Sequence, residues 1–193
     1  MNFDDISNYL KKQDTYKDIE KFIDGREVPA KCLLLKEGKI ADRMFLVRQG
    51  CLREFFYKDG KDFTTQFFFE NEGVASAESF FEDKPSKYNI ETIEKTIILE
   101  IPKKYYYELI VKMPELKSMM YIGIQKRLIQ YMDYMKSYIT DKPIDRYLNL
   151  MKTRPEIIQR VPQHYIASYL GMTSVSLSRI RNKIKTDKLI NSH

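Results

Sequence analysis

The stretch "IASYLGMTSVSLSRIR", Ile166–Arg181, decides how the fold is interpreted. Counted from Gln163, the fifth residue is Ala167 and the ninth is Gly171. In a helix-turn-helix the second helix crosses the fifth position, which must therefore be small. The turn at the ninth position adopts a left-handed backbone conformation that suits glycine. The spacing predicts two helices joined by a tight turn.

Apolar residues and a cap fit the same arrangement. The fourth, eighth, fifteenth and eighteenth positions of this count are apolar, as expected for residues that lock two helices together: Ile166, Leu170, Leu177 and Ile180. Thr173 lies where an N-cap belongs, and its hydroxyl can accept a hydrogen bond from the backbone N–H of residue 175 or 176. The second helix is predicted to run from Ser174 to about Lys185.

The other side of the second helix carries short hydroxyls first, then arginine and asparagine. This order suits a helix that enters the major groove, because Arg can bind guanine O6 and N7 together and Asn can pair with adenine. Hydroxyls, lysines and the start of the first helix suit phosphates. A hairpin of two helices with a solvated basic face is the alternative. The candidate DNA-binding residues are Gln163, His164, Thr173, Ser174, Val175, Ser176, Ser178, Arg179, Asn182, Lys183 and Lys185.

The positive charge of the chain lies in its last quarter. The net charge is +6 over 193 residues. Residues 1–140 hold 23 Lys and Arg against 23 Asp and Glu, whereas residues 141–193 hold ten against four. Such asymmetry indicates a module that binds a polyanion. A basic tail without a partner is the alternative.

The region from Val28 to Ile101 has the texture of a β domain. Short runs rich in Phe, Val, Ile and Thr alternate there with turn signals. Asp59-Gly60 supplies the positive φ angles that a tight hairpin needs. Several short strands at a spacing of roughly 8–12 residues indicate a sandwich or barrel. A helical pattern over 4–24 precedes this region.

Residues 114–139, "PELKSMMYIGIQKRLIQYMDYMKSYI", predict one uninterrupted helix of about seven turns. The helix is apolar on nearly every side, whereas a surface helix has one apolar stripe, so it needs two burial partners. We expect its own β domain as one partner and the same helix of a second subunit as the other, which makes the chain a homodimer. Burial inside the core of a monomer is the alternative.

Several functional classes are excluded by what the sequence lacks. It has no uninterrupted apolar run of the ~18 residues of a membrane span and no apolar signal core at the N-terminus. We therefore expect a cytoplasmic protein without a membrane partner. Two cysteines cannot form a four-thiolate metal site, and no metal is expected. No phosphate loop and no His–carboxylate–nucleophile set is present, so the chain is not expected to be an enzyme.

The sequence resembles the Crp/Fnr family of bacterial transcription regulators. The most specific match is "VPQHYIASYLGMTSVSLSRIR", and "KEGKIADRMFLVRQGCLREFF" is similar to the family's early β-roll, with Gly38 and Gly50 at its turns. The resemblance places Ser174, Val175 and Arg179 at the three recognition positions, although the family frequently has glutamate where Val175 stands.

This resemblance implies an α+β fold and a DNA-binding function. It implies double-stranded DNA and RNA polymerase as partners, and an unknown effector that controls a homodimer reading a palindromic operator with helix 174–185. The alternative is a small-ligand sensor module that acts through protein partners without sequence-specific DNA binding. The implied parts are an N-terminal double-stranded β-helix (β-roll) sensor domain at 1–113, a dimerisation helix at 114–139 and a C-terminal helix-turn-helix domain at 140–193.

The implied effector site departs from the family members that bind cyclic AMP. Those members hold the ribose with a Gly-Glu-Leu segment and the phosphate with a later Arg-Ser pair. Here Glu78 matches the glutamate, but Ala77 replaces the glycine and Tyr88 stands at the arginine position. A buried phosphate without a bidentate arginine loses its strongest hydrogen bonds, so no cyclic nucleotide is expected as a cofactor. Glu78 could equally be a solvated loop carboxylate. The candidate effector pocket consists of Glu78, Ser79, Lys87, Tyr88 and Asn89.

Overall fold

The computed structural model describes Asn8, Lys11, Lys12, residues 25–112 and residues 114–190. Apart from those first three residues, the helix predicted over 4–24 lies outside the described residues. The chain packs into two compact units. One consists of Met1–Phe56 and Gln66–Leu128, and the other of Tyr57–Thr65 and Ile129–His193. The domain boundaries at residues 113 and 139 stay predictions.

Eight strands in the described part of the chain form two four-stranded sheets. The order in one sheet is β1-β8-β3-β6, and the order in the other is β2-β7-β4-β5. Neighbouring strands run antiparallel, as in the pairing of β3 with β8 and of β4 with β7. This arrangement confirms the predicted β-roll and the α+β fold. The strands are β1 (Arg26–Val28), β2 (Leu33–Leu35), β3 (Arg43–Gln49), β4 (Leu52–Lys58), β5 (Lys61–Phe68), β6 (Gly73–Val74), β7 (Asn89–Thr92) and β8 (Thr96–Pro102).

The hairpin between β4 and β5 has the turn that its sequence predicts. Asp59 has a φ of 52° and Gly60 a φ of 71°. Both residues are thus in the left-handed region, which matches the right-handed twist of the flanking strands. The Asp-Gly pair therefore forms the two-residue turn that joins β4 to β5.

A hydrophobic core lies between the two sheets. Side chains alternate along each strand, so every second residue of both sheets can point into it. Both sheets contribute to this core, which consists of Val28, Phe45, Val47, Leu52, Phe68, Val74, Ile90 and Ile98.

Two helices cover the other side of β3 and β8. Phe80 of the first helix and Tyr106 and Leu109 of the second pack against Leu99 and Ile101 of β8. The first of these helices falls within the region predicted as strands only. It ends where Asp83 adopts a φ of 55°, a left-handed conformation that commonly stops a helix.

The C-terminal half of the chain is helical. Proline opens three of its helices, at the first-turn position where a missing N–H costs nothing. The long helix ends at Thr140, one residue later than predicted, and the last helix continues to Ile190 instead of ending near Lys185, because no glycine or proline interrupts it. The helices are α1 (Ala77–Glu82), α2 (Lys103–Lys112), α3 (Pro114–Thr140), α4 (Pro143–Thr153), α5 (Pro155–Arg160), α6 (Gln163–Tyr169) and α7 (Ser174–Ile190).

One ion pair is buried on the sheet that contains β4. The Nε of Arg53 donates to Oε1 of Glu91 on the neighbouring strand β7 over 2.6 Å, and the Arg53 side chain is only 2% exposed. Its guanidinium also lies 3.8 Å from the ring centroid of Phe55. A buried charge needs such partners, since desolvation alone would disfavour it.

Candidate functional site

Helices α6 and α7 form the predicted helix-turn-helix. Ala167 is 1% exposed, and its carbonyl accepts a hydrogen bond from the N–H of Met172 over 2.9 Å, which closes the turn. Gly171 has a φ of 64°, in the left-handed region that the ninth position requires. Ile166 and Leu177 are buried between the helices. The prediction of two helices joined at Gly171 is confirmed.

The predicted N-cap of α7 is also present. The hydroxyl of Thr173 accepts a hydrogen bond from the backbone N–H of Ser176 over 3.1 Å. The two hydroxyls of this pair lie 2.9 Å apart. Ser176 is half-buried and engaged with Thr173, which leaves its hydroxyl less available to a phosphate than those of its exposed neighbours.

The remaining candidate residues all have side chains that lie at the surface. Val175 is 61% exposed at the start of α7, although valine usually prefers the interior. Arg179 is exposed as well, whereas Leu177 between them is fully buried. The exposed candidates are Gln163, His164, Thr173, Ser174, Val175, Ser178, Arg179, Asn182, Lys183 and Lys185.

These exposed residues form the face that the sequence assigns to DNA. Ser174, Ser178 and Asn182 recur at four-residue spacing, so they lie above one another on one side of α7. Arg179 follows Ser178 on the adjacent row. The arrangement can offer hydroxyls to phosphates and an arginine and an asparagine to base edges.

The predicted effector residues are divided between two environments. Glu78 and Lys87 lie at the surface and form an ion pair, with Nζ and Oε2 2.6 Å apart. The hydrogen bond from Lys87 lowers the pKa of Glu78, which therefore stays ionised. A carboxylate paired in this way is satisfied without a ligand.

Ser79 and Asn89 are buried and take part in hydrogen bonds within the fold. The hydroxyl of Ser79 accepts from the N–H of Ala41 over 2.8 Å. The side-chain oxygen of Asn89 accepts from the N–H of Glu37 over 3.0 Å. These bonds commit both side chains to holding loops against the β-roll.

Tyr88, at the arginine position of the resemblance, packs edge-to-face against Phe56 with ring centroids 6.1 Å apart. Its backbone N–H donates to the hydroxyl of Ser86, a buried residue that the sequence interpretation missed. The phenol thus brings an aromatic surface where a cyclic-AMP site would have a cation. A phosphate gains no charge-assisted hydrogen bond from it.

A cation that the sequence interpretation also missed comes from the long helix. The guanidinium of Arg127 lies 4.3 Å from the ring centroid of Phe68, a residue of the inter-sheet core, and Nη1 donates to the side-chain oxygen of Gln66. Its signal in the sequence was an arginine amid the apolar run "GIQKRLIQ". Within residues 25–112 and 114–190, no three His, Cys, Asp or Glu side chains cluster as a metal site would require, and no described helix could cross a membrane.

Comparison with known proteins agrees with this fold. Residues 25–112 match the family described as the cyclic nucleotide-binding domain. No curated protein matches the chain.

The fold is similar to those of solved bacterial structures. One is the c-di-GMP-responsive global regulator CLP of Xanthomonas campestris, with 19% identity, 86% of this chain and 87% of that chain covered, and a TM-score of 0.68. Another is a CooA mutant of Carboxydothermus hydrogenoformans, which is 17% identical, with 93% of this chain and 83% of that chain covered and a TM-score of 0.70. A third, from Eubacterium rectale, is assigned to the Crp/Fnr family of transcriptional regulators. It is 15% identical, with 91% of this chain and 88% of that chain covered and a TM-score of 0.66. Residues 25–112 thus match the cyclic nucleotide-binding domain, and the chain shares the fold of a Crp/Fnr transcription regulator, which confirms the resemblance of its sequence.

Proposed function

We propose that this protein is a homodimeric, cytoplasmic transcription regulator that reads a palindromic DNA operator with α7. Residues 1–113 form the effector-binding β-roll domain, residues 114–139 the dimerisation helix and residues 140–193 the DNA-binding domain. RNA polymerase is its expected partner at the promoter. Its effector is unknown, and a cyclic nucleotide does not fit because Tyr88 stands at the position of the phosphate-binding arginine.

The exposed face of α7 is the observation that carries this proposal. Its apolar side packs into the protein through Leu177, which is fully buried, and through Ile180 and Ile184, which are half-buried. Its polar side is exposed, and Arg179 lies on that side. A helix braced in this way by α6 can present three or four side chains to base edges in the major groove.

The surface of α3 supports a dimer. Tyr121, Ile124, Leu128, Tyr131 and Met135 follow one another at alternating spacings of three and four residues, and each is between 39% and 63% exposed. This spacing is the heptad pattern of a helix that pairs with another helix. An apolar stripe of this length is costly to leave in water.

A dimer of this kind makes a geometric prediction about its operator. Two copies of α7 related by a two-fold axis should meet half-sites about 34 Å apart, one turn of the duplex. The operator should therefore be a palindrome whose half-sites are spaced by one helical turn.

The DNA assignment is tested by measuring duplex binding with fluorescence anisotropy. An operator is first selected from a random duplex pool with the wild-type protein, and its affinity is compared with that of unrelated DNA over a salt series. We expect Arg179→Ala to lower discrimination by about 1–3 kcal/mol per half-site. Lys185→Ala is the matched control, since losing a phosphate contact should weaken all sequences alike. Unchanged discrimination in Arg179→Ala would contradict the assignment, and failure of the wild type to select any sequence would favour the sensor module.

The dimer is tested independently by sedimentation. The wild type should sediment as twice the 23.1 kDa chain at micromolar concentration. Leu128→Asp places a charge in the apolar stripe and should shift the protein to the monomer, whereas Lys126→Asp changes a polar position on the same helix and should not. A wild type that is strictly monomeric would contradict the proposal.

A further inference from the structure

The last residues of α6 are held by side chains from outside the helix-turn-helix. Tyr134 and Tyr138 of α3 and Arg146 of α4 each contact one of the consecutive residues 169–171. We call these three side chains the turn clamp. None of them belongs to the DNA-binding face described above.

Tyr134 holds the first of these residues. Its hydroxyl donates to the carbonyl oxygen of Tyr169 over 2.6 Å, and the two rings stack with centroids 5.2 Å apart. The final carbonyls of a helix have no partner within it, and the Tyr134 hydroxyl supplies one to the carbonyl of Tyr169. Burial raises the pKa of Tyr134 to about 12, and the hydroxyl therefore remains a donor throughout the physiological range.

Arg146 holds the next residue and joins it to the end of α3. Its Nε donates to the carbonyl oxygen of Leu170 over 3.2 Å, and its Nη1 donates to that of Asp141 over 2.9 Å. The guanidinium also lies 5.2 Å from the ring centroid of Tyr138. Because a guanidinium is planar, these three contacts fix the directions from which α3 and α6 approach it.

Tyr138 fills the space beside the turn itself. A Cβ added to Gly171 would lie 2.5 Å from Cε2 of the Tyr138 ring. The ring therefore occupies the space that a side chain at position 171 would need. Only Met172 and Thr173 separate this contact from the start of α7, and both are bonded within the motif.

We propose that the turn clamp is a positioning site that fixes the recognition helix to the end of the dimerisation helix. In a dimer joined through α3, the clamp of each chain then sets where its α7 lies relative to the two-fold axis. The inference rests on the proposed function, since it matters only where two copies of α7 bind one duplex. Loss of the clamp leaves each recognition face intact but lowers the effective concentration of the second face at its half-site.

The test compares a palindromic duplex with a duplex that carries one half-site. Both are taken from the operator selected by the wild type. Tyr134→Phe and Arg146→Lys are the variants, and Tyr107→Phe, a substitution of an exposed tyrosine on α2, is the control. We expect each clamp variant to bind the palindrome about tenfold more weakly and the half-site with unchanged affinity.

A second readout separates positioning from loss of structure. Two base pairs inserted between the half-sites should sharply weaken DNA binding by the wild type and by Tyr107→Phe. They should weaken the clamp variants less, because a loosened α7 can reach either spacing. Unchanged palindrome affinity, or an equal loss on both duplexes, would overturn the inference while leaving DNA binding established. A wild type without preference for the palindrome would instead overturn the proposed function.

Discussion

The contact between Gly171 and Tyr138 predicts what Gly171→Ala does to stability. Gly171 has a φ of 64°, and an alanine there adopts a left-handed conformation at a cost of about 1–2 kcal/mol, partly offset by the lower entropy of the unfolded chain. The new Cβ also meets the Tyr138 ring at 2.5 Å. Tyr138 is 48% exposed, so the ring can swing aside, and we expect this to add about 1 kcal/mol. The total cost is about 2 kcal/mol.

Gly60→Ala is the matched control for this substitution. Gly60 also has a positive φ, of 71°, but a Cβ added there meets no atom within 4 Å. It should therefore show the backbone cost alone, about 1 kcal/mol. In a Tyr138→Ala background the obstacle at Gly171 is gone, and Gly171→Ala should then cost no more than Gly60→Ala.

Urea unfolding at fixed protein concentration measures these differences. With a slope of about 2 kcal/mol per molar, Gly171→Ala should lower the unfolding midpoint by about 1 M and Gly60→Ala by about half as much. Equal stability of the two single variants would show that the Tyr138 ring does not obstruct a side chain at position 171. The same conclusion would follow if Tyr138→Ala left the cost of Gly171→Ala unchanged.

Three further substitutions follow from contacts described above. Thr173→Ala removes the cap of α7 and should lower the unfolding free energy by about 1 kcal/mol in the same urea assay. Arg53→Ala removes the ion pair of the partly buried Glu91 and should lower the unfolding free energy by about 3 kcal/mol, whereas the double variant Arg53→Met, Glu91→Leu should cost less. The hydrogen bond from Ser137 lowers the pKa of Asp141 in the folded state. Its contribution to stability is therefore present above pH ~4 and lost as the pH falls, and thermal unfolding of Asp141→Asn should differ from that of the wild type only at the higher pH.

Local signals predicted those elements whose chemistry is contained in a few neighbouring residues. Asp59-Gly60 fixed the hairpin because both positions need a positive φ, and both have one. Gly171 and Thr173 fixed the turn and the cap of the helix-turn-helix for similar reasons. The start of the long helix was equally clear, because Pro114 suits only the first turn. In each case one residue type is favoured by a backbone conformation, irrespective of what packs nearby.

The same signals did not reveal α1, which interrupts the β region. Its six residues are too short to show helical periodicity, and its stability comes from Phe80, which is buried against Tyr106 with ring centroids 5.1 Å apart. The edge-to-face pair joins residues that lie far apart in the sequence. Packing of this kind, and not the local sequence, decides the conformation of so short a segment.

The candidate effector residues show why a family resemblance does not reveal which interactions a side chain makes within the fold. Glu78, which the resemblance assigned to an effector, forms an ion pair with Lys87, and the buried Ser79 and Asn89 hold loop backbones. Those partners are between 9 and 52 residues away, so no spacing in the sequence could have assigned them. The turn clamp depends on still more specific geometry, because a tyrosine and an arginine on two helices must both reach the carbonyls that end a third. Such contacts form only when the three helices have packed together. We expect them to set the position of α7, whereas the exposed side chains of α7 set its chemistry.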